Sequence, residues 1–326
     1  MPRWNSALNA KLDDYGEYLR SRKCQPRTVT EYRRLVVNAF GALHEAGLNH
    51  SVRTIGEEEI DFLYNELYEP VEPRTARNQV SVIGTFLKRM GKNPVVELMD
   101  IPWPADLRIH VKWLDPMRAI SLRRAASDME RILVHFELDC MMRRCEVMRL
   151  RVGDVASGAI DIWGKGRDGG KPRTIPWHPR TQTEWEHYLL LREDIVERAR
   201  KKNPQVMVPE QVLIYERNGR LGCYQKTAVD RMIKEAGARA GILPDDISNH
   251  VLRRTGARIS LLGGTQISTI MKILGHSTEE QTIRYLGLNL DDMSKGMNLA
   301  ERYLQEIETK MIDVPATGTS PIQLAR

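Results

Sequence analysis

Cysteine is scarce in this chain, with four in 326 residues: Cys24, Cys140, Cys145 and Cys223. They form no CxxC pair and no Cys/His cluster of metal-ligand spacing, which argues against a structural zinc and a disulfide framework. They read as reduced thiols in a cytosolic compartment. Long apolar runs are also missing, so no segment is expected to span a membrane. The opening Met1-Pro-Arg-Trp-Asn5 has no apolar signal-peptide core, and the expectation is a cytoplasmic protein. There is no GxxxxGK[ST] segment, so the Gly164-Lys165-Gly166 turn is not a nucleotide-binding loop. Internal repeats are absent.

What is present is an ordinary globular balance of 41% hydrophobic and 28% charged residues. The net charge of +6 is unevenly spread. Residues 1–106 hold 14 basic and 15 acidic side chains, whereas residues 107–326 hold 35 and 28. A basic excess confined to the C-terminal two thirds fits a polyanionic partner.

Apolar residues at helical spacing predict helices over residues 5–22, 28–46, 57–68 and 73–90. In the fourth, Val80, Ile83, Leu87 and Met90 form an apolar stripe, while Arg77, Ser81, Thr85 and Lys88 form a polar, partly basic one. The polar stripe is read either as a solvated face or as a face laid in a DNA groove. Basic residues also gather at Arg20, Arg22, Lys23, Arg27, Arg33 and Arg34, and acidic ones at Glu57, Glu58, Glu59 and Asp61, which predicts a DNA-facing and an averted side. Pro94, Pro102 and Pro104 interrupt the helical pattern. Residues 1–92 therefore read as a helical domain and 93–109 as a linker. A second domain covers 110–311, and 312–326 form a flexible tail. In the second domain Asp115-Pro116 is a helix start. Helices are expected over 116–126, 128–140 and 143–150, then two strands, 159–163 and 173–177, joined by a glycine-rich turn. Helices are expected to dominate from Pro179 onward, the last over 291–311. The fold class is mainly α with a small β-sheet.

Four separated pieces carry chemistry: Arg143 with Glu146 three residues on; Lys165 in the hairpin; His250-Val-Leu-Arg253; and Leu274-Gly275-His276, followed nine residues later by Tyr285. Each alone is commonplace. In this order and spacing they resemble the tyrosine recombinases, or phage-type integrases, over residues 110–300, and the helical first domain resembles that family's core-binding domain. The chain looks like a two-domain member of the Xer and Cre kind. Met141-Met142 stands where the family often has Gly-Leu, which should change local helix packing, and Arg254 stands where many members have His.

The resemblance implies a fold, an α+β catalytic domain behind a helical DNA-binding one, and an activity. Arg143 and Arg253 would grip the non-bridging oxygens of a DNA phosphate, and two guanidiniums suit that task because they stay charged and bond with direction. Tyr285 would attack phosphorus. His250 would take its proton, Lys165 would protonate the leaving 5′-oxygen, His276 would donate to the phosphate, and Glu146 would support Arg143. Arg77, Ser81, Thr85 and Lys88 would contact DNA. The family works without metal, cofactor or ATP, as four protomers on two duplex sites, and no membrane is involved. Two alternatives share parts of this reading: a type IB topoisomerase, which only relaxes DNA, and a catalytically silent DNA-binding regulator. A C-terminal helix over 291–311 would dock on a neighbouring protomer or on its own domain.

Overall fold

In the computed structural model the described residues are 5–68, 71–92, 111–156, 158–164 and 172–288, with isolated positions between 292 and 307. They gather into two compact units, one N-terminal to Ile109 and one from there onward.

The first unit is helical: α1 (Ser6–Ser21), α2 (Pro26–Glu45), α3 (Glu57–Phe62), which continues as a π-helical turn over Leu63–Tyr68, and α4 (Pro73–Arg89). Asn5 caps α1 by accepting from the Leu8 N–H at 2.8 Å. Pro26 and Pro73 sit in the first turns of α2 and α4, where the missing N–H costs nothing. Leu8, Leu12, Tyr15 and Leu19 repeat at helical spacing and are buried, and they meet Val36, Phe40, Leu43, Ile83, Phe86 and Leu87 in one core. Phe86 packs edge-on to Tyr15 and to Phe40. The expected charge segregation here is incomplete. Arg20 pairs with Glu17, Arg33 with Asp13 and Arg34 with Glu31. Glu59 is buried and accepts the Gly56 N–H, so it caps α3 rather than facing solvent.

The second unit is built around α6 (Asp128–Leu138), whose residues Ile132, Leu133, Val134, Phe136 and Leu138 are all buried. Around it stand α5 (Pro116–Ala125), the single turn α7 (Arg144–Val147), α8 (Pro179–Lys202), α9 (Lys226–Arg239), α10 (Asn249–Leu262), α11 (Ile267–Leu274) and α12 (Glu279–Leu286). Strands β1 (Val155–Ala156), β2 (Ala159–Trp163) and β3 (Pro172–Pro176) form an antiparallel sheet, with Asp161 opposite Thr174. The mainly helical fold class, with small sheets, is therefore found.

Two elements differ from expectation. The helix foreseen over 143–150 is one turn long. Its continuation is drawn into extended pairing, where Leu150 O accepts from Val212 N and Val152 N donates to Glu210 O. Within the stretch from Pro179 onward, where helices were expected to dominate and no strand was foreseen, residues 214–223 are a hairpin of β4 (Ile214–Arg217) and β5 (Arg220–Cys223). Asn218 and Gly219 turn it with φ of 53° and 78°. Positive φ at both turn residues matches the right-handed twist of a hairpin, and Asn-Gly is the dipeptide that best tolerates it. The linker, the tail and most of the helix foreseen over 291–311 lie outside the described residues.

Candidate active site

The Arg143–Glu146 spacing has a local cause. Arg143 is the N-cap of α7 and Glu146 is its third residue. The Glu146 carboxylate accepts the Arg143 backbone N–H at 2.7 Å and its Nη1 at 2.9 Å. This is the reciprocal geometry of a capping box. Glu146 is 2% exposed, and Arg173 reaches it from β3 with Nη1 and Nη2 at 3.0 and 2.8 Å. Arg253 Nη1 stands 3.6 Å away. One carboxylate thus gathers three guanidiniums. Burial pushes the Glu146 carboxyl up, but the hydrogen bonds and charge of Arg173, the Arg143 N–H and the charge of Arg253 outweigh it and hold the carboxyl low.

Arg253 lies on α10 with only 2% of its surface exposed. Its Nη1 donates to the Met141 carbonyl and its Nη2 to the Leu274 carbonyl. Burial, then the neighbouring charge of Arg143, lowers it to about 10, so it remains a cation at neutral pH. The Met141 carbonyl is presented by a left-handed residue, with φ 51°. Glycine, which the resemblance leads one to expect here, adopts that conformation at least cost, and Met141 adopts it while burying its side chain with Ala257, Ile270, Leu274 and Leu286. The departure noted in the sequence therefore falls on a backbone conformation as well as on packing.

Gly275 ends α11 with φ 63°, left-handed again. A Cβ there would lie 3.2 Å from Arg173 side-chain atoms. The chain then passes His276 and restarts at Thr278, which caps α12 by accepting from Gln281 N. Two turns along α12 sits Tyr285. Thus the nine residues from Ser277 to Tyr285 are one linker, one cap and two helical turns. The Tyr285 ring meets His276 and His250 edge-on, each at 5.1 Å between centroids. Its hydroxyl is buried and makes no hydrogen bond of ordinary geometry among the described residues. Burial raises the phenol, and the cations Arg253 and Arg254 offset part of that rise. His276 Nδ1 lies 3.1 Å from the Thr282 hydroxyl. Burial first, then Arg253, Arg143, Arg173 and His250, lowers His276 to about 4, so the ring is neutral at pH 7.

Five of the six expected catalytic residues, Arg143, His250, Arg253, His276 and Tyr285, therefore meet in one unit, with Glu146 among them. Lys165 lies outside the described residues, in the segment between β2 and β3. Arg77, Ser81, Thr85 and Lys88 belong to the other unit, on α4. Arg77, Ser81 and Lys88 are exposed, whereas Thr85 is half-buried and turns its hydroxyl back to the Ser81 carbonyl at 2.8 Å. Among the described residues no group of His, Cys, Asp and Glu is arranged to hold a metal ion, and no helix is long and apolar enough to cross a membrane.

Sequence reasoning missed Arg173. Its signal was the alternation of β3, where Arg173 shares a face with the buried Ile175. A charge on the inward face of a strand needs a partner.

Residues 112–291 match the family model described as the phage integrase family. The chain belongs to this family, that of the tyrosine recombinases. The recombinase is 23% identical over 303 residues to tyrosine recombinase XerD of Rickettsia bellii, covering 90% of this chain and 91% of that one. It is 25% identical to tyrosine recombinase XerC of Oceanobacillus iheyensis, covering 88% and 94%. Its fold matches a lambda integrase dimer bound to a COC′ core site, with a TM-score of 0.61 at 16% identity over 86% of this chain and 77% of that one. It also matches the XerH site-specific recombinase bound to its difH substrate, with a TM-score of 0.59 at 14% identity over 88% and 83%. The recombinase is thus an enzyme of site-specific DNA recombination, and the topoisomerase and silent-regulator alternatives are not favoured.

Proposed function

We propose that the recombinase cuts and rejoins DNA through a 3′-phosphotyrosine at Tyr285. The observation that carries this reading is the Tyr285 hydroxyl, buried beside Arg253 and Arg254 and flanked by two histidine rings. The Tyr285 oxygen attacks phosphorus, and the bond from phosphorus to the 5′-oxygen breaks. His250 takes the phenolic proton, and Lys165 gives a proton to the leaving 5′-oxygen. Arg143 and Arg253 hold the two non-bridging oxygens as charge builds on them, and a preorganised donor of this kind is worth about 10²–10³ in rate. With its Nδ1 accepting from the Thr282 hydroxyl, neutral His276 carries its one proton on Nε2 and donates that N–H to the same phosphate. One ester replaces another, so the reverse step joins a different strand without ATP.

The substrate is duplex DNA, held through Arg77, Ser81, Thr85 and Lys88 of the core-binding domain (1–92). The linker (93–109) connects that domain to the catalytic domain (110–311). Four protomers act on two sites in the cytoplasm. Solved relatives include a lambda integrase tetramer bound to a Holliday junction, which supports the stoichiometry.

The test is covalent capture. Wild type and Tyr285→Phe are mixed with sheared DNA of the source organism in EDTA and denatured, and protein-linked DNA is sequenced. Adducts from wild type alone, with shared ends, are expected. Adducts that persist in Tyr285→Phe would remove Tyr285 from the mechanism. Lys165→Ala should cleave slowly and recover on a substrate with a better leaving group.

A further inference from the structure

Arg144 and Asn249 stand next in sequence to two residues of the site, Arg143 and His250, and the reaction above uses neither of them. Arg144 is the first residue of α7 and Asn249 the first of α10. Both reach the same atom. Arg144 Nη1 donates to Oδ1 of Asp230, on the second turn of α9, and Asn249 Nδ2 donates to that oxygen at 2.6 Å. Asp230 and Arg144 are half-buried, and Asn249 is buried. A carboxylate oxygen has two lone pairs, so one atom holds both donors, and Oδ2 of Asp230 takes no part in either bond.

What the bridge joins gives it a role. Arg253 already holds α10 to the start of α7, through its bond to the Met141 carbonyl and its charge beside Glu146. One side chain is one pivot: it fixes a distance and leaves a direction open. The Asp230 bridge meets α10 four residues earlier, about one helical turn nearer its N-terminus. Two points of attachment fix the direction as well. Arg143 and His250 address one phosphate only when that direction is right, and a misplacement of about 1 Å costs about a hundredfold in rate.

We propose that Asp230 is a positioning residue of strand cleavage, which ties the first residue of α7 to the first residue of α10 and so sets Arg143 against His250 across the phosphate. It touches no reacting atom. This rests on the reading of the Tyr285 chemistry given above.

The test compares Asp230→Asn with Asp230→Ala in the full chain. Both remove the same charge, so any general change in attraction for DNA is matched between them. Only Asn keeps an oxygen in the place of Oδ1, able to accept both bonds. Covalent adduct formation is timed on sheared DNA of the source organism at saturating concentration, and DNA binding is titrated separately. Asp230→Ala should cleave about tenfold slower than wild type, and Asp230→Asn should stay within about twofold of it, with the two variants binding DNA alike. Equal rates in all three proteins would make the bridge dispensable, and an equal loss in both variants would assign the effect to charge; either overturns the proposal. A link also fails from either end. Arg144→Met and Asn249→Ala should each match Asp230→Ala, and the two together should be no slower than one alone. Losses that multiply would mean two separate effects and would overturn it too.

Amide hydrogen exchange without DNA keeps this inference apart from the reading it rests on. The Val147 and Leu252 amides close the first turns of α7 and α10 on the Arg143 and Ser248 carbonyls. Both should exchange faster in Asp230→Ala and as in wild type in Asp230→Asn. Absence of adduct from wild type would count against the Tyr285 assignment and leave exchange to decide whether Asp230 ties the two helices; unchanged exchange in Asp230→Ala would then overturn the tie.

Discussion

At Glu146 one carboxylate answers three guanidiniums, and this makes the site sensitive to acid in a definite direction. Its carboxyl is held below the ordinary value of 4.5. A lowered folded-state pKa contributes stability that is present above the unfolded value and is lost as pH falls through the folded one. Melting temperature should therefore drop below about pH 4.5 in wild type. Glu146→Gln should melt lower at pH 7, by about 3–5 kcal/mol, because three cations lose their buried counter-charge. It should also show a shallower acid limb, and calorimetry between pH 3 and 8 checks both. A variant as stable as wild type at pH 7 would mean that the arginines find other partners. Met141 allows a second comparison. Met141→Gly would relieve a left-handed φ worth about 1–2 kcal/mol but remove a buried side chain worth about 2–5. The net expectation is destabilisation by about 2 kcal/mol, measured by denaturant unfolding. The candidate site residues stood out because their order and spacing form a pattern no single residue carries. Arg173 was not, because its importance comes from where β3 lies in space, and only the inward face it shares with Ile175 hinted at it.

At the scale of elements, Gly256 sets how closely α10 lies against α6. A Cβ there would fall 1.8 Å from the Leu138 carbonyl oxygen. No side-chain rotation relieves a clash with backbone. Gly256→Ala should therefore cost about 3 kcal/mol, the upper end for overpacking, and shift α10 with Arg253 on it. Both the melting temperature and the yield of covalent adduct should fall; a melting temperature within a degree of wild type would mean that α10 can move without penalty. Helix starts were readable from capping residues and proline. The length of α7 was not, since its end is decided by pairing with residues 210–212, some sixty positions away. The hairpin over 214–223 left a local trace in Asn218-Gly219, which was overlooked beside the strong helical pattern around it.

For the whole molecule, the described residues fall into two compact units, one N-terminal to Ile109 and one from there onward. The expected segregation of charge in the first unit was less legible, because several arginines that looked available are paired with acids. Arg77 and Lys88 are exposed on α4. If they meet phosphates, Arg77→Gln and Lys88→Gln should each weaken DNA binding and flatten its dependence on log salt by about one. Titrations at several salt concentrations measure that slope, and an unchanged slope would assign α4 to solvent. Arg253, by contrast, hangs from two main-chain oxygens, those of Met141 and Leu274. A carbonyl acceptor survives any change of the side chain beside it. What must be inherited at those two positions is the path of the chain, so lineages can diverge there freely and still deliver the same guanidinium to the same place.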